Sequence, residues 1–82
     1  MSPSVALITG ASSGIGREFA LHYARLGLHI CLVGQNSLDL QNVSREIEEV
    51  GSTSNSVLAD LSNTHGILQV LDECNNPDVL VA

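Results

Sequence analysis

The residues best suited to chemistry lie near the start of the chain, in Thr9-Gly10-Ala11-Ser12-Ser13-Gly14-Ile15-Gly16. Glycine takes backbone turns that a side chain forbids, so Gly10 suits a sharp turn. Gly14 leaves bare backbone that an anion can approach, and Gly16 lets a following helix pack closely. The N–H groups at a helix N-terminus carry about half a positive charge, enough to hold a diphosphate without a lysine. Ser12 and Ser13 would add hydroxyl donors. Alone, three glycines also fit an ordinary Gly/Ser-rich turn. A position between a strand and a helix is what favours phosphate binding.

The absence of lysine matters here. Among 82 residues the only basic ones are Arg17, Arg25 and Arg45, and the net charge is −6. A GxxxxGK phosphate loop and any Schiff-base lysine are excluded. Nucleic acid and anionic membrane surfaces are unexpected partners, because both need clustered basic residues. Cys31 and Cys74 stand far apart with no CxxC spacing, so they read as reduced thiols, neither a disulfide framework nor a zinc site. His22, His29 and His65 have no metal-ligand spacing, and no metal is expected. Ser12 and Ser13 lack the GxSxG setting of a nucleophile. The opening Met-Ser-Pro-Ser has no basic, apolar leader pattern. The expectation is a cytoplasmic protein.

The elements that would position the glycine loop alternate regularly. Val5-Ala6-Leu7-Ile8 is an unbroken apolar run, as in a strand buried on both faces. Residues 15–26 read as a helix, with Ile15, Phe19, Tyr23 and Leu26 on an inward stripe. Beside it, Gly16, Ala20 and Ala24 form a small-residue stripe that would let the helix lie close to a sheet. Gly27 suits a helix C-terminus. Residues 29–33 give a second strand, and Gly34-Gln35-Asn36 a turn. Ser37 is the expected N-cap of a helix to Val50, with Leu40, Val43, Ile47 and Val50 on one face. Residues 56–59 form a weaker third strand closed by Asp60. A third helix over 64–74 would turn Ile67, Leu68, Val70, Leu71 and Cys74 inward, and Asp78-Val79-Leu80-Val81-Ala82 begins a fourth strand. The order β-α-β-α-β-α-β implies right-handed crossovers and a doubly wound parallel α/β sheet, truncated after its fourth strand. By handedness, the first two helices would cover one face and the third helix the other.

The glycine segment resembles the TGxxxGxG fingerprint of the short-chain dehydrogenase/reductase family, an NAD(P)-dependent group of oxidoreductases with a Rossmann-type fold. The resemblance covers essentially the whole chain. Ala20, Ala24 and Gly27 match the family's small-residue helix and its end. Asp60-Leu61 resembles the acidic residue after the third strand that in the family contacts the adenine ring, and Asp78-Val79-Leu80-Val81-Ala82 resembles the DVLVNNAG segment, cut before its final Asn-Ala-Gly. The resemblance implies dinucleotide contacts at Gly10, Ser12, Ser13, Gly14, Ile15, Gly16, Gln35, Asn36, Asp60 and Leu61. Residues 1–82 then read as a partial NAD(P)-binding domain.

Two departures limit that inference. An acid at the end of the second strand favours NAD, and a base favours NADP. Gln35 and Asn36 are neither, which tilts the expectation to NADP over NAD because nothing there repels a 2′-phosphate. Gln35 and Asn36 also fit an ordinary turn, and Asp60 an ordinary strand-end aspartate. Asp39 falls inside the second helix and reads as solvated. The family's catalytic Asn, Ser and Tyr-x3-Lys have no counterparts here, and Tyr23 reads as core, so no catalytic residue is assigned and no activity is expected of the chain alone. The fourth strand would leave an apolar edge suited to self-association or to pairing with a full-length relative. A non-catalytic interaction module and a non-functional truncated product are the alternative readings.

Overall fold

The computed structural model describes residues 4–11, 14–60, 62–74 and 77–81. Seven elements follow one another: β1 (Val5–Thr9), α1 (Gly14–Arg25), β2 (His29–Gly34), α2 (Ser37–Glu49), β3 (Ser54–Leu58), α3 (Thr64–Glu73) and β4 (Val79–Val81). The strands form one parallel sheet in the order β3-β2-β1-β4. Leu7 stands level with Cys31 on one side and Leu80 on the other. The chain thus winds outward through β2 and β3, then crosses back to set β4 beside β1.

The apolar runs of β1 and β2 occupy the sheet centre because both faces are covered. Ala6, Ile8, Ile30 and Leu32 meet Ala20, Leu21 and Ala24 of α1 and Leu40, Val43 and Ile47 of α2. The alternate residues Leu7, Cys31 and Val33 share the opposite layer with Val57, Ala59, Val70 and Cys74. The two helix layers fall on the faces that the crossover rule requires.

Four local expectations are corrected. The inward face of α1 is Gly16, Ala20, Leu21 and Ala24. Its large stripe turns outward, with Ile15 74%, Phe19 42% and Leu26 63% exposed, and only Tyr23 partly buried against the core. Small residues let the helix axis approach the sheet, and that approach fixes its rotation. In α2, Val50 is exposed while Leu40, Val43 and Ile47 are buried, and the N-cap is Asn36 rather than Ser37. The Asn36 side chain accepts from the Asp39 N–H at 3.1 Å. Strand β3 begins at Ser54, two residues earlier than expected, because ladder bonding to Ile30 overrides its polar composition. In α3, Ile67 and Leu68 are exposed, and Val70 is buried.

The cysteines are the fifth correction. Cys31, mid-way along β2, is bonded to Cys74 at the end of α3, with Cα atoms 6.4 Å apart. That separation lies within the range a disulfide spans. Their distance in sequence concealed a contact that arises only when α3 crosses back over β2. Among the described residues, no helix is long and apolar enough to cross a membrane.

Candidate functional site

The carboxyl ends of all four strands lie along one edge of the sheet, and the connections leaving β1, β2 and β3 form the candidate site. Parallel α/β sheets bind ligands at that edge, where the strand order reverses. Here the reversal lies between β1 and β4.

The loop leaving β1 is set by close backbone packing. Gly10 takes a φ of 65°, the left-handed region that favours glycine. Ala11 is fully buried, and its N–H donates to the Val33 carbonyl at 3.1 Å, fastening the loop to β2. A Cβ on Gly16 would overlap the Gly10 carbonyl. Gly16 therefore lets the helix close on its own glycine loop, rather than on the strand body. Gly14 is different: a Cβ there would meet no atom of the described residues beyond its chain neighbours within 4 Å. The side-chain position of Gly14 is thus clear of the described residues, at a helix N-terminus of the kind that binds anions. Gly14, Ile15, Glu18, Phe19 and His22 line a shallow, largely apolar depression running from that helix start.

The turns after β2 and β3 are tied together. The Gln35 amide donates to Asp60 Oδ1 at 3.2 Å, and the Ala59 N–H donates to the Gly34 carbonyl at 3.0 Å. Asp60 Oδ1 also accepts from the Ser62 N–H at 2.9 Å. Hydrogen bonding from Ser62 holds the Asp60 carboxyl below the usual carboxylate range. A Cβ on Gly66, in the first turn of α3, would overlap the Asp60 carbonyl, so α3 starts hard against this turn. Asn63 caps α3, accepting from the Gly66 N–H at 2.8 Å.

Of the ten residues expected to contact a dinucleotide, Gly10, Gln35, Asn36 and Asp60 stand in the connections along this edge, and Gly14, Ile15 and Gly16 open α1 there. Ser12, Ser13 and Leu61 lie outside the described residues. Asn36 also serves as a cap, which occupies its side-chain oxygen.

Three supports were not legible as such in the sequence. Thr9 donates from Oγ1 to the Val81 carbonyl at 3.1 Å, closing β4 against β1 at the site. At the other end Asp78 accepts from the Val5 N–H at 2.7 Å. Arg17 grips Glu46 through Nε at 2.9 Å and also through Nη2, joining α1 to α2. For Gly66, a glycine inside the first turn of a helix was the available signal.

Comparison with known proteins agrees with this geometry. The family model for short chain dehydrogenase matches residues 4–81. A 1-cyclohexenylcarbonyl-CoA reductase from Streptomyces collinus is 43% identical over 70 residues, 84% of this chain and 25% of the relative. The chain therefore spans about a quarter of that relative's length. A metagenomic short-chain oxidoreductase solved in complex with NADP superimposes with a TM-score of 0.85 at 36% identity, covering 98% of this chain and 38% of that one. L-sorbose reductase from Gluconobacter frateurii, solved with NADPH and L-sorbose, gives a TM-score of 0.83 at 33% identity over 96% of this chain and 32% of that one. The glycine loop, the reversal of strand order beside it and these matches together place the chain in the short-chain dehydrogenase/reductase family.

Proposed function

We propose that residues 1–82 are a partial Rossmann domain that holds the dinucleotide of an NAD(P)-dependent oxidoreductase, with NADP preferred to NAD. The observation that carries this reading is the start of α1 at the edge where the strand order reverses, where a side chain added to Gly14 would meet no described atom within 4 Å. The N–H groups of Gly14 and Ile15, at the start of α1, would hold the pyrophosphate, with Ser12 and Ser13 as neighbouring donors. Gln35 and Asn36 would lie along the adenosine ribose, and Asp60 and Leu61 along the adenine. Ile15 and Phe19, both exposed beside Gly14, would give the bound molecule an apolar wall. When bound, the nicotinamide would exchange hydride with a carbonyl or alcohol; this chain's own part is to fix and orient it. The two structural relatives described above, with NADP and NADPH, support the choice of NADP.

Titration with NADPH and NADH, followed by the nucleotide's fluorescence, tests the proposal. Binding of NADPH by the native chain, weakened about tenfold or more in Gly14→Val, is the expected result, equivalent to about 1.4 kcal/mol or more. Absence of binding by a folded chain, or equal binding by both proteins, refutes it.

A second reading is favoured by β4, whose Leu80 is 65% exposed at the sheet edge. There the chain would pair with a second copy or a full-length relative by strand addition.

A further inference from the structure

We propose that Cys31 and Cys74 form a reversible redox clasp that decides how tightly α3 is held to the sheet. Among the described helices, α3 alone lies on its face of the sheet, and few of its described side chains hold it there. Val70 is buried, but Ile67 and Leu68 point to solvent. Its front end is fixed by Gly66 against Asp60 and by the Asn63 cap. Its back end is fixed by Cys74, which leaves the helix with φ −122° and ψ 66°.

The two cysteines differ in freedom. Cys31 sits mid-ladder between Leu7 and Asn55 and cannot shift without breaking the sheet. Cys74 lies just past the end of α3, outside the strand ladder, so its sulfur can move with the helix end. Both are buried, and a buried thiol is inert until it is exposed. Lifting of the α3 end supplies that exposure, since local opening draws on segments with few buried contacts.

Closure needs an oxidant, and a small-molecule disulfide such as oxidised glutathione suits it. The Cys74 thiolate attacks one glutathione sulfur, forming a mixed disulfide and releasing one glutathione thiol. The Cys31 thiolate then attacks the Cys74 sulfur and releases the second. The cysteine pair loses two electrons and two protons, and both glutathione molecules leave reduced. A dithiol reverses the exchange.

The test uses the full chain, equilibrated with oxidised glutathione or with dithiothreitol. Mass spectrometry reads the intramolecular bond as the loss of two hydrogens. Hydrogen exchange then compares α3 in the two forms. The oxidised chain is expected to exchange α3 amides about tenfold more slowly, with little change at the β1–β2 ladder. Cys74→Ser should exchange like the reduced native chain under both conditions. Two thiols still free after oxidation, a bond only between chains, or equal α3 exchange in both native forms would each overturn the proposal. The native comparison stands whether or not the variant folds.

Discussion

Gly14 and Gly16 are two residues apart and should fail in opposite ways when a side chain is added. Gly14 faces open space, so Gly14→Val should fold and lose its ligand. Gly16 faces the Gly10 carbonyl, so Gly16→Ala must displace backbone. We expect it to cost about 1–3 kcal/mol, read as a lower denaturation midpoint. In the turn after β2, Gln35 donates to Asp60 and carries no charge of its own. Replacing Gln35 with Arg supplies a fixed cation there. The ratio of NADPH to NADH affinity should rise about tenfold, measured by competitive titration. Gly10 and Gly16 were legible because the left-handed φ of the first and the close approach at the second are backbone requirements that few residue types meet. The Asn36 cap was not, because Asn36 and Ser37 are adjacent and equally suited, and the end of β2 decides between them.

The helices were legible as elements, but their rotations were only partly so. In α2 the stripe Leu40, Val43 and Ile47 is large, periodic and buried, as its spacing implies. In α1 the large residues point away, because Gly16, Ala20 and Ala24 permit the closer approach. This difference is measurable. Ile47→Ala should cost about 2–5 kcal/mol, close to the whole stability of so small a domain. Phe19→Ser should cost less than about 1 kcal/mol. Denaturant melts of both variants check the contrast.

The bridge between α1 and α2 adds a dependence on pH. The hydrogen bond from Arg17 holds the Glu46 carboxyl below its usual range. A carboxyl depressed on folding stabilises the chain above its unfolded pKa, and that contribution disappears as pH falls through the lowered folded value. The melting temperature should therefore fall on acidification below the ordinary carboxylate range, and fall less in Glu46→Gln. The pair is partly exposed, so the difference should be small and should shrink in high salt.

At the scale of the molecule, alternation of short apolar runs with helices implied the parallel sheet, and handedness implied which face each helix covers. The return of α3 over β2, and with it the meeting of Cys31 and Cys74, depends on contacts that no local pattern encodes. The candidate site shares that character, since Gly14, Gln35 and Asp60 follow three different strands. A chain this short hides only about 60–65% of its unfolded surface, and β4 presents Leu80 at an edge. Concentration-dependent self-association is expected in sedimentation, reduced by Leu80→Lys. A monomer at all concentrations would argue against the edge as a contact surface.

Dinucleotide binding at the strand ends is most directly tested by NADPH titration of the nitrogen-15-labelled chain. Amide resonances of Gly14, Ile15, Gly16, Gln35, Asn36 and Asp60 should move together with saturation, while those of Glu48, Val50 and Ser52, at the opposite edge of the sheet, stay fixed. A folded spectrum in which none of the first group moves, or in which both groups move alike, would contradict it.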